Sequence, residues 1–436
     1  MGPDALLSAF RRQLGALPCV RRWLIGFSGG LDSRVLAELA ARTLDPGSVL
    51  LLHVNHHLQD GSDAWAQHCR QIAGRLGLAI RVLDVSPRSA SEDAAREARY
   101  GAFARELLPG DCLLLGHHAD DQAETLLLRL LRGAGVRGMR GIPRRRPLGE
   151  AELLRPLLDQ TRAGLEAWAR AHELDWIEDP SNAVAGYDRN YLRLTVMPEL
   201  AARWPDAAQR MAQSARHLAE ADELLAELAR SDRHGCRGRH GGLDTTALRE
   251  LSLARRRNLL RHWCEAGSGV ALNDRLLAAV DTEVLGAAVD RQPQLALGDQ
   301  VLRRYRDELF LVPKRQPASA GSLADIALVP GEIRLLQGRL SIRPSRTGGL
   351  RTLDGLSLRY RREGERCRPA GRGGSHPLKK LFQEAAVPPW LREGWPLLVR
   401  GDEIVAVPGL FVCEGWQVGP DEDGFVLEWL PAGTAS

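Results

Sequence analysis

The chain has 436 residues, 44% of them hydrophobic, and a net charge of +4. This length exceeds the roughly 250–300 residues at which single cores stop growing, so two or three domains are expected. The net charge excludes a polycationic protein. No apolar run approaches the roughly 18 residues of a membrane span. The seven cysteines lack the spacing of metal ligands. We expect a cytoplasmic protein without a signal peptide, membrane contact, or a zinc or iron–sulfur site.

The first informative element is a strand that leads through a glycine turn into a helix. An apolar run, Trp23–Phe27, precedes Ser28-Gly29-Gly30-Leu31-Asp32-Ser33, and a helical pattern follows from Val35 to Ala41. Glycines let a ligand approach the free N–H groups of a helix start, which bind anions. Asp32 would repel a bare phosphate, so we interpret the turn as a site for pyrophosphate with a divalent cation. An ordinary strand-to-helix turn explains these residues equally well.

Strand and helix patterns alternate up to residue 115. Further strands are predicted at Val49–Val54, Ile80–Val85 and Cys112–Leu115, with helices at Ser62–Leu76 and from Ser91 onward. Because the strands are continuous apolar runs, they predict a parallel sheet that is covered on both faces.

Polar clusters follow three of the predicted strands. They are Ser28–Ser33 after the first strand, His53–His57 after the second and Gly116–Glu124 after the fourth. Ligands of parallel sheets bind beyond the carboxyl ends of the strands, so these clusters are expected to converge on one site.

The segment from Asp120 to Arg132 is predicted to be a helix with an acidic first turn. The preferred interpretation places Asp121 and Glu124, one turn apart, on the side that faces a nucleotide site. Favourable interaction with the helix dipole is the second interpretation. A metal pair of His117 and Asp121 ranks third, because no further ligand stands at an obvious spacing.

Basic residues concentrate in two regions. Arg137–Arg146 is predicted to be a flexible basic loop, either a solvated charge run or a contact for a polyanion. Further along, Arg359–Arg372 leads to Lys379 and Lys380, two of only three lysines in the chain. Tryptophans follow this second region, and basic groups beside aromatic rings are typical of RNA binding, although the tryptophans also suit the core of a small β domain.

The middle of the chain is predicted to be mainly helical. Helices are expected at 206–231, Leu248–Cys264 and Asp274–Leu285, followed by a strand pattern at Leu302–Val312. Linkers are predicted at Arg233–Gly242 and Pro313–Ser322.

These motifs together resemble the tRNA(Ile)-lysidine synthetases, a family of the PP-loop ATP pyrophosphatase superfamily. The resemblance rests on Ser28–Ser33, His53–His57, Gly116–Thr125, Asp179–Asn182 with Asp188–Asn190, Pro377–Lys380 and Val387–Trp390. It implies a Rossmann-like α/β PP-loop catalytic domain at 1–205, a mainly helical domain at 206–316 and a small α+β tRNA-binding domain at 323–436.

The resemblance also implies a reaction. ATP activates the C2 oxygen of the wobble cytidine in an isoleucine tRNA with a CAU anticodon, and pyrophosphate leaves. L-Lysine then attacks C2 through its amine, AMP leaves and lysidine is formed. The implied cofactors are ATP, as a substrate, and Mg²⁺; the sequence does not define the oligomeric state.

Each substrate has a predicted set of residues. For ATP these are Ser28, Gly29, Gly30, Leu31, Asp32, Ser33, His53 and Asn55, with Mg²⁺ on Asp32. For lysine they are Asp121, Glu124, Arg99 and Arg189, and the catalytic residues are Asp32, His117 and Asp121. For tRNA they are Arg137, Arg140, Arg144, Arg155, Asn190, Arg193, Lys379 and Lys380.

Two alternatives compete with this prediction. One is another PP-loop tRNA-modifying enzyme such as a thiolase, which would need reactive cysteines, usually paired. The other is a non-catalytic module that binds a nucleotide or RNA, although such a module would gain little from three carboxylates at 120–124.

Overall fold

The computed structural model describes residues 3–17, 19–57, 61–89, 92–178, 188–288, 291, 293–314, 323, 326–419 and 422–431. The motif Asp179–Asn182, the helix start at Ser91 and most of the linker Pro313–Ser322 lie outside these residues. The chain divides into two compact units, Met1–Glu223 and Leu224–Ser436. The three domain ranges expected from the sequence stay predictions.

The first unit alternates strands and helices. Its elements are α1 (Pro3–Gly15), β1 (Trp23–Gly26), α2 (Leu31–Ala41), β2 (Val49–Asn55), α3 (Ser62–Leu76), β3 (Ala79–Asp84), α4 (Glu92–Glu106), β4 (Cys112–Leu114), α5 (Ala119–Leu131), α6 (Val136–Met139), β5 (Arg145–Leu148), β6 (Ala151–Leu154), α7 (Arg162–Ala171), α8 (Asp188–Tyr191) and α9 (Met197–Arg203). The unit boundary falls inside α10 (Ala207–Gly235).

The strands of the first unit form one sheet in the order β3-β2-β1-β4-β6-β5. All pairs are parallel except β5 with β6. Side chains of β1 alternate between the two faces: Trp23 and Ile25 join one buried core, and Leu24 joins another. A sheet buried on both faces confirms the predicted doubly covered architecture and places the carboxyl ends of β1, β2 and β4 side by side.

The second unit contains helices followed by many short strands. Its elements after α10 are β7 (Leu243–Asp244), α11 (Thr245–Glu250), α12 (Leu253–Ser268), α13 (Asp274–Ala279), β8 (Gln294–Leu297), β9 (Gln300–Tyr305), β10 (Glu308–Pro313), β11 (Gly331–Leu335), β12 (Gly338–Ser345), β13 (Gly349–Leu350), β14 (Ser357–Tyr360), β15 (Arg366–Cys367), β16 (His376–Pro377), α14 (Leu378–Glu384), α15 (Pro389–Arg392), β17 (Pro396–Arg400), β18 (Glu403–Val407), β19 (Phe411–Val412), β20 (Gln417–Val418) and β21 (Gly424–Pro431).

Two cores organise this unit. The sheet β7-β10-β9-β8 packs with α11, α12 and α13 around buried residues such as Leu260 and Leu302. The sheets β11-β12-β21-β13-β20 and β14-β17-β18-β19 share a second core with α14. The predicted α+β character of the tail is therefore confirmed.

The structure corrects several local predictions. Leu248–Cys264 is not one helix, because Ser252 caps a new helix by accepting a hydrogen bond from Arg255 N at 3.4 Å. Leu302–Val312 is not one strand, since the chain reverses near Arg306, whose φ is +52°.

Two predicted loops are also ordered elements. The basic loop Arg137–Arg146 contains parts of α6 and β5, and the predicted linker Arg233–Gly242 begins inside α10. In the part of the chain that is described, every helix is too short or too polar to cross a membrane.

Candidate active site

The glycine turn joins β1 to α2 at the centre of the sheet. Ser28 N donates to Ser33 Oγ at 3.2 Å, and Ser33 Oγ donates to Gly30 O at 3.0 Å. Gly29 has a φ of +83°, and a Cβ there would lie 3.0 Å from Cys69 Sγ, so a larger residue would be strained. Gly30 offers no side-chain cap, which leaves the first-turn N–H groups of α2 available to an anion.

Asp32 is the first carboxylate after this turn. Among the described residues its Oδ1 is buried without a hydrogen-bond partner. Its Oδ2 lies 3.5 Å from His118 Nε2 and 3.7 Å from Arg162 Nη1. An unsatisfied carboxylate oxygen beside an anion site fits a divalent cation. The described residues hold no group of three metal-ligating side chains, so phosphate and water oxygens would complete such a site.

His53 and Asn55, predicted to bind ATP, support the loops around the turn. His53 Nδ1 donates to Phe27 O at 2.9 Å, and burial lowers the pKa of His53, which keeps the ring neutral. Asn55 donates from Nδ2 to Asp63 Oδ1 at 3.0 Å and accepts from His57 N at 3.1 Å. Both residues line the site, and His53 Nδ1 and the side-chain amide of Asn55 already bind protein groups.

The amino end of α5 carries a buried imidazole among three carboxylates. His118 nitrogens lie 3.5 Å from Asp32 Oδ2, 3.5 Å from Asp120 Oδ2 and 3.6 Å from Asp121 Oδ2. Burial opposes the charged form, but the carboxylates raise the pKa of His118 to about 10. Burial would likewise raise the pKa of Asp121, but the neighbouring imidazoles and Arg189 hold it at about 2. His118 is therefore a fixed cation.

His117, the predicted catalytic histidine, has the opposite character. Burial is the main cause of a pKa well below the ordinary value for His117, so the ring is neutral at pH 7. Its Nδ1 has no hydrogen-bond partner among the described residues, and the ring lines the cavity.

Glu124 is 1% exposed and is held by two arginines. Arg193 donates from Nε to Glu124 Oε1 at 2.7 Å and from Nη2 to Glu124 Oε2 at 2.9 Å. Arg189 donates from Nε to Glu124 Oε2 at 3.0 Å. A lysine ammonium could reach Glu124 only by displacing these guanidinium groups. Asp121 lines the cavity but also accepts a hydrogen bond from Arg193 Nη2 at 3.3 Å, so both acids have arginine partners and their assignment to lysine stays a prediction.

One cavity of about 760 Å³ connects the turn with α5, a volume that suits a nucleotide and a second small substrate. The predicted residues that line it are Ser28, Gly30, Leu31, Asp32, Ser33, His53, Asn55, Arg99, His117, Asp121 and Arg193. In the described structure, Gly29, Glu124, Arg189 and Asn190 lie outside this lining. Arg193 is paired with Asp121 and Glu124, and its predicted contact with RNA stays a prediction.

The other residues predicted to contact RNA include exposed residues, ion-paired residues and one buried residue. Lys379 and Lys380 on α14 are exposed, as is Arg137. Arg140 is paired with Asp222 at 3.0 Å and Arg144 with Asp159 at 2.6 Å.

Arg155 is 2% exposed. It donates to Pro143 O at 2.6 Å and to Tyr100 OH at 3.2 Å. Burial of this kind is incompatible with a phosphate contact, so the prediction that Arg155 grips RNA is corrected to a structural role.

Two site residues were missed from the sequence. Arg162 opens α7, donates its N–H to Asp120 Oδ2 at 2.8 Å and directs its guanidinium toward Asp32. His118, which the sequence did not single out, precedes α5 directly, and its backbone N donates to Asp121 at 3.0 Å. The residue directly before a helix, the N-cap, places its side chain over the first helical turn. The N-cap position of His118 could therefore have identified it from the sequence as a site residue.

Three family models match the chain in order. Residues 7–200 match a PP-loop domain, residues 243–310 a TilS substrate binding domain and residues 356–429 a TilS substrate C-terminal domain.

Solved structures give weaker likenesses. The U34-tRNA thiolase NcsA from Methanococcus maripaludis is 17% identical, with a TM-score of 0.42 over 50% of this chain and 79% of that chain. A TILS C-terminal domain is 24% identical, with a TM-score of 0.21 over 24% of this chain and 94% of that chain. Neither likeness enters the argument.

Curated relatives match nearly the whole chain. The tRNA(Ile)-lysidine synthase of Alkalilimnicola ehrlichii is 43% identical over 96% of this chain and 96% of its own length. The synthase of Pseudomonas aeruginosa is 43% identical over 94% of this chain and 93% of its own length. The synthase of Pseudomonas fluorescens is 42% identical over 99% of this chain and 97% of its own length. With such identity over almost its full length, the chain belongs to the tRNA(Ile)-lysidine synthase family.

Proposed function

We propose that the chain ligates L-lysine to C2 of the wobble cytidine in the CAU anticodon of isoleucine tRNA. The C2 oxygen attacks the α-phosphorus of ATP and pyrophosphate leaves; the lysine amine then attacks C2, loses a proton and displaces AMP. The observation that carries the proposal is the single cavity in which an anion-binding glycine turn faces the acidic start of α5. ATP and an amine can meet there on one RNA base.

The glycine turn supplies the ATP half. The N–H groups of Leu31, Asp32 and Ser33 open an 11-residue helix, where the dipole and the free donors favour phosphate. Asp32 Oδ1 would hold Mg²⁺, which neutralises charge on the departing pyrophosphate. Arg162 Nη1 lies 3.7 Å from Asp32 Oδ2 and adds a further cation for the phosphates.

The start of α5 supplies the lysine half. Asp121 is ionised at neutral pH and lines the cavity, so it can hold the ammonium. Arg99 also lines the cavity and is the better placed of the two arginines proposed for the α-carboxylate, because Arg189 donates to Glu124 and Thr125.

The lysine amine must lose a proton as the C–N bond forms. Asp121 is too acidic to keep that proton, and His118 is already protonated. His117 is neutral and its Nδ1 has no hydrogen-bond partner among the described residues, so it can accept the proton. Burial lowers the pKa of His117 to about 3, so His117 would pass the proton on to solvent instead of keeping it. We therefore propose His117 as the base and His118 as the fixed charge that keeps Asp121 ionised.

The thiolase alternative fits poorly with the cysteines. Cys19 is exposed, while the other six cysteines are buried free thiols. Burial raises the pKa of the Cys69, Cys112 and Cys264 thiols to about 12, which leaves these groups unreactive at neutral pH. Cys367 and Cys413 do form a hydrogen-bonded pair, which lowers the pKa of Cys367, but neither lines the cavity that holds the glycine turn.

The proposal is tested by assaying AMP and pyrophosphate release with ATP, Mg²⁺ and a CAU isoleucine tRNA, with and without lysine. We expect AMP release that requires lysine and this tRNA, and a product nucleoside heavier than cytidine by one lysine residue. ATP cleavage that ignores both substrates, or no RNA product, would contradict the proposal. Omitting Mg²⁺ tests the role given to Asp32.

A further inference from the structure

Two buried cysteines of the second unit, Cys367 and Cys413, lie against each other. Cys367 is the last residue of β15, and Cys413 directly follows β19. Both join the core around α14, where 6% of Cys367 and 3% of Cys413 is exposed. The Cys413 thiol donates a hydrogen bond to Cys367 Sγ, and both residues are free cysteines. Two free thiols in contact are the reactants of a disulfide, a chemistry that a single buried cysteine lacks.

The backbone places the two sulfur atoms on the same face. Hydrogen bonds of 2.8 and 3.0 Å join residues 368–370 to residues 412–414, and Pro369 lies opposite Cys413 in this antiparallel pairing. Side chains alternate along an extended chain, so Cys367 points to the same face as Pro369. The burial pattern agrees, since both are buried while the residue between them is exposed. The contact of the thiols therefore follows from the pairing of the two segments.

The two thiols differ in their chemistry. The hydrogen bond from Cys413 lowers the pKa of Cys367 and outweighs the opposing effect of burial. The same hydrogen bond, together with burial, raises the pKa of Cys413. A thiolate is the nucleophile in thiol–disulfide exchange, so Cys367 is suited to the first attack and Cys413 to the second.

A bound metal ion would explain this pair less well. Soft metals bind thiolates, but a structural site such as that of zinc needs four ligands. Across the described residues, no group of three metal-ligating side chains exists. Paired thiols without further ligands suit oxidation instead. In a reducing compartment, disulfides of this kind are usually transient and respond to the redox state.

We propose that Cys367 and Cys413 form a reversible disulfide. The Cys367 thiolate attacks a small-molecule disulfide RSSR, which gives a mixed disulfide and releases RS⁻. Cys413 then loses its proton, its sulfur attacks Cys367 Sγ, and a second RS⁻ leaves. The protein loses two electrons and two protons, and RSSR becomes two RSH. This site does not line the cavity of the glycine turn and does not depend on the proposed ligation reaction.

The disulfide would fasten part of the basic region to the sheet beneath it. Arg366 and Arg368, on either side of Cys367, are exposed. Cys413 is held to the buried strand β18, because its N donates to a carbonyl of that strand at 2.8 Å. A covalent link between the two cysteines therefore ties the backbone that carries the arginines to β18. We expect slower amide exchange at residues 366–370 in the oxidised protein.

The test oxidises the folded full-length chain with oxidised glutathione. Cys19→Ser is used as the background, because the exposed Cys19 would form a mixed disulfide of its own. After acid quenching, unfolding and alkylation, we expect two fewer alkylated cysteines than in the reduced protein, and one cross-linked peptide that contains Cys367 and Cys413. Reduced glutathione should restore both thiols. An unchanged number of alkylated cysteines, or cross-links that join other cysteines equally often, would overturn the proposal.

A pair of variants identifies the partner thiol. Cys413→Ala should abolish the cross-link and stop the reaction at a glutathione adduct on Cys367. Cys264→Ala, at a buried thiol in the other core of the second unit, is the matched control and should leave the cross-link intact. Loss of the cross-link in the control would contradict the assignment. Peptide mapping of the parent protein decides the question even if Cys413→Ala does not fold.

Two measurements show whether the fold builds this site. The equilibrium constant of the cross-link against glutathione should be at least about 10-fold larger in the native protein than in urea, because the fold holds the sulfurs together. Amide exchange at residues 366–370 should slow on oxidation and recover on reduction, while exchange in α12 stays unchanged. An equal or smaller constant in the native protein, or unchanged exchange at 366–370, would overturn the proposal.

Discussion

The two glycine loops, Ser28–Ser33 and Arg237–Gly242, look alike in sequence and differ in where their backbone hydrogen bonds go. In the first, the N–H groups at the start of α2 remain for a ligand. In the second, the N–H groups of His240 and Gly242 are bound by Glu308. Only side chains of the second loop are left for a partner. Glycine content alone therefore does not make a loop an anion site. A loop can bind an anion through its N–H groups only where no buried acceptor already binds them.

Two buried glutamates, Glu38 on α2 and Glu308 on β10, have opposite electrostatics. Burial raises the pKa of both carboxyls. At Glu38 on α2, hydrogen bonds from Arg34 and Arg42, each at 2.8 Å, overcome burial and the pKa falls below its ordinary value. At Glu308, the backbone N–H groups do not compensate, and the pKa stays raised.

The largest expected effect concerns the first loop. Asp32→Ala removes the carboxylate proposed to hold Mg²⁺, and we expect pyrophosphate release to fall about 10²- to 10³-fold, the scale of a lost charge-stabilising group. Binding of tRNA should stay within about twofold, since RNA affinity derives mainly from phosphate contacts elsewhere. Asp45→Ala, at the other end of the sheet, is the control. Pyrophosphate release at the wild-type rate in Asp32→Ala would show that Asp32 does not hold the metal.

The next effect separates the two acids of α5. Asp121→Asn should slow the lysine step about 10²-fold more than adenylation, measured by single-turnover formation of AMP and pyrophosphate. Glu124→Gln leaves Arg189 and Arg193 without their buried counter-charge, so it should lower the free energy of unfolding by about 3 kcal/mol. Equal loss of both steps in a stable Asp121→Asn protein would contradict a lysine-specific role.

The two buried glutamates predict opposite pH dependences, each on the scale of about 1–3 kcal/mol. The folded-state pKa of Glu38 is lowered, so its stabilisation is present above the ordinary value of 4.5 and is lost as pH falls through the folded pKa. The folded-state pKa of Glu308 is raised, so its stabilisation is present below 4.5 and is lost as pH rises through the folded pKa.

Urea unfolding from pH 3 to 8 checks this pair against Glu38→Gln and Glu308→Gln. The free energy of unfolding of the wild type should exceed that of Glu38→Gln most near pH 8. It should exceed that of Glu308→Gln most near pH 3. Parallel pH profiles for the two variants would contradict the opposite pKa shifts of Glu38 and Glu308.

The smallest effect concerns the exposed lysines of α14. Lys379→Glu with Lys380→Glu should weaken tRNA binding several-fold and reduce the salt slope of log Kd by about 0.7–0.9 per lost phosphate contact. Lys314→Glu, at the third lysine of the chain, is the matched control. An unchanged salt titration would exclude α14 from the RNA interface.

Local patterns predicted the sheet of the first unit well. Continuous apolar runs marked β1, β2 and β4, and α3 ends at Leu76 as predicted, where Gly77 takes a φ of +65°. Continuity of a buried strand and a left-handed helix end are local properties, so they can be recognised without knowledge of the fold.

Long-range partners limited the prediction of the site. Arg155 looked like an RNA contact because its partners, Tyr100 and Pro143, are far away in sequence. Glu124 looked available for the same reason, since Arg189 and Arg193 approach it from α8 and the turn that follows. Charge pattern alone does not distinguish a ligand contact from an internal ion pair.

The distribution of thiols has a practical consequence. Cys19 is exposed just before β1, and the other six cysteines are buried. A maleimide dye should therefore attach at one native position under mild conditions, with no cysteine-free background to engineer. A fluorophore on Cys19 would report, by energy transfer from a labelled tRNA, when substrate arrives and when modified product departs.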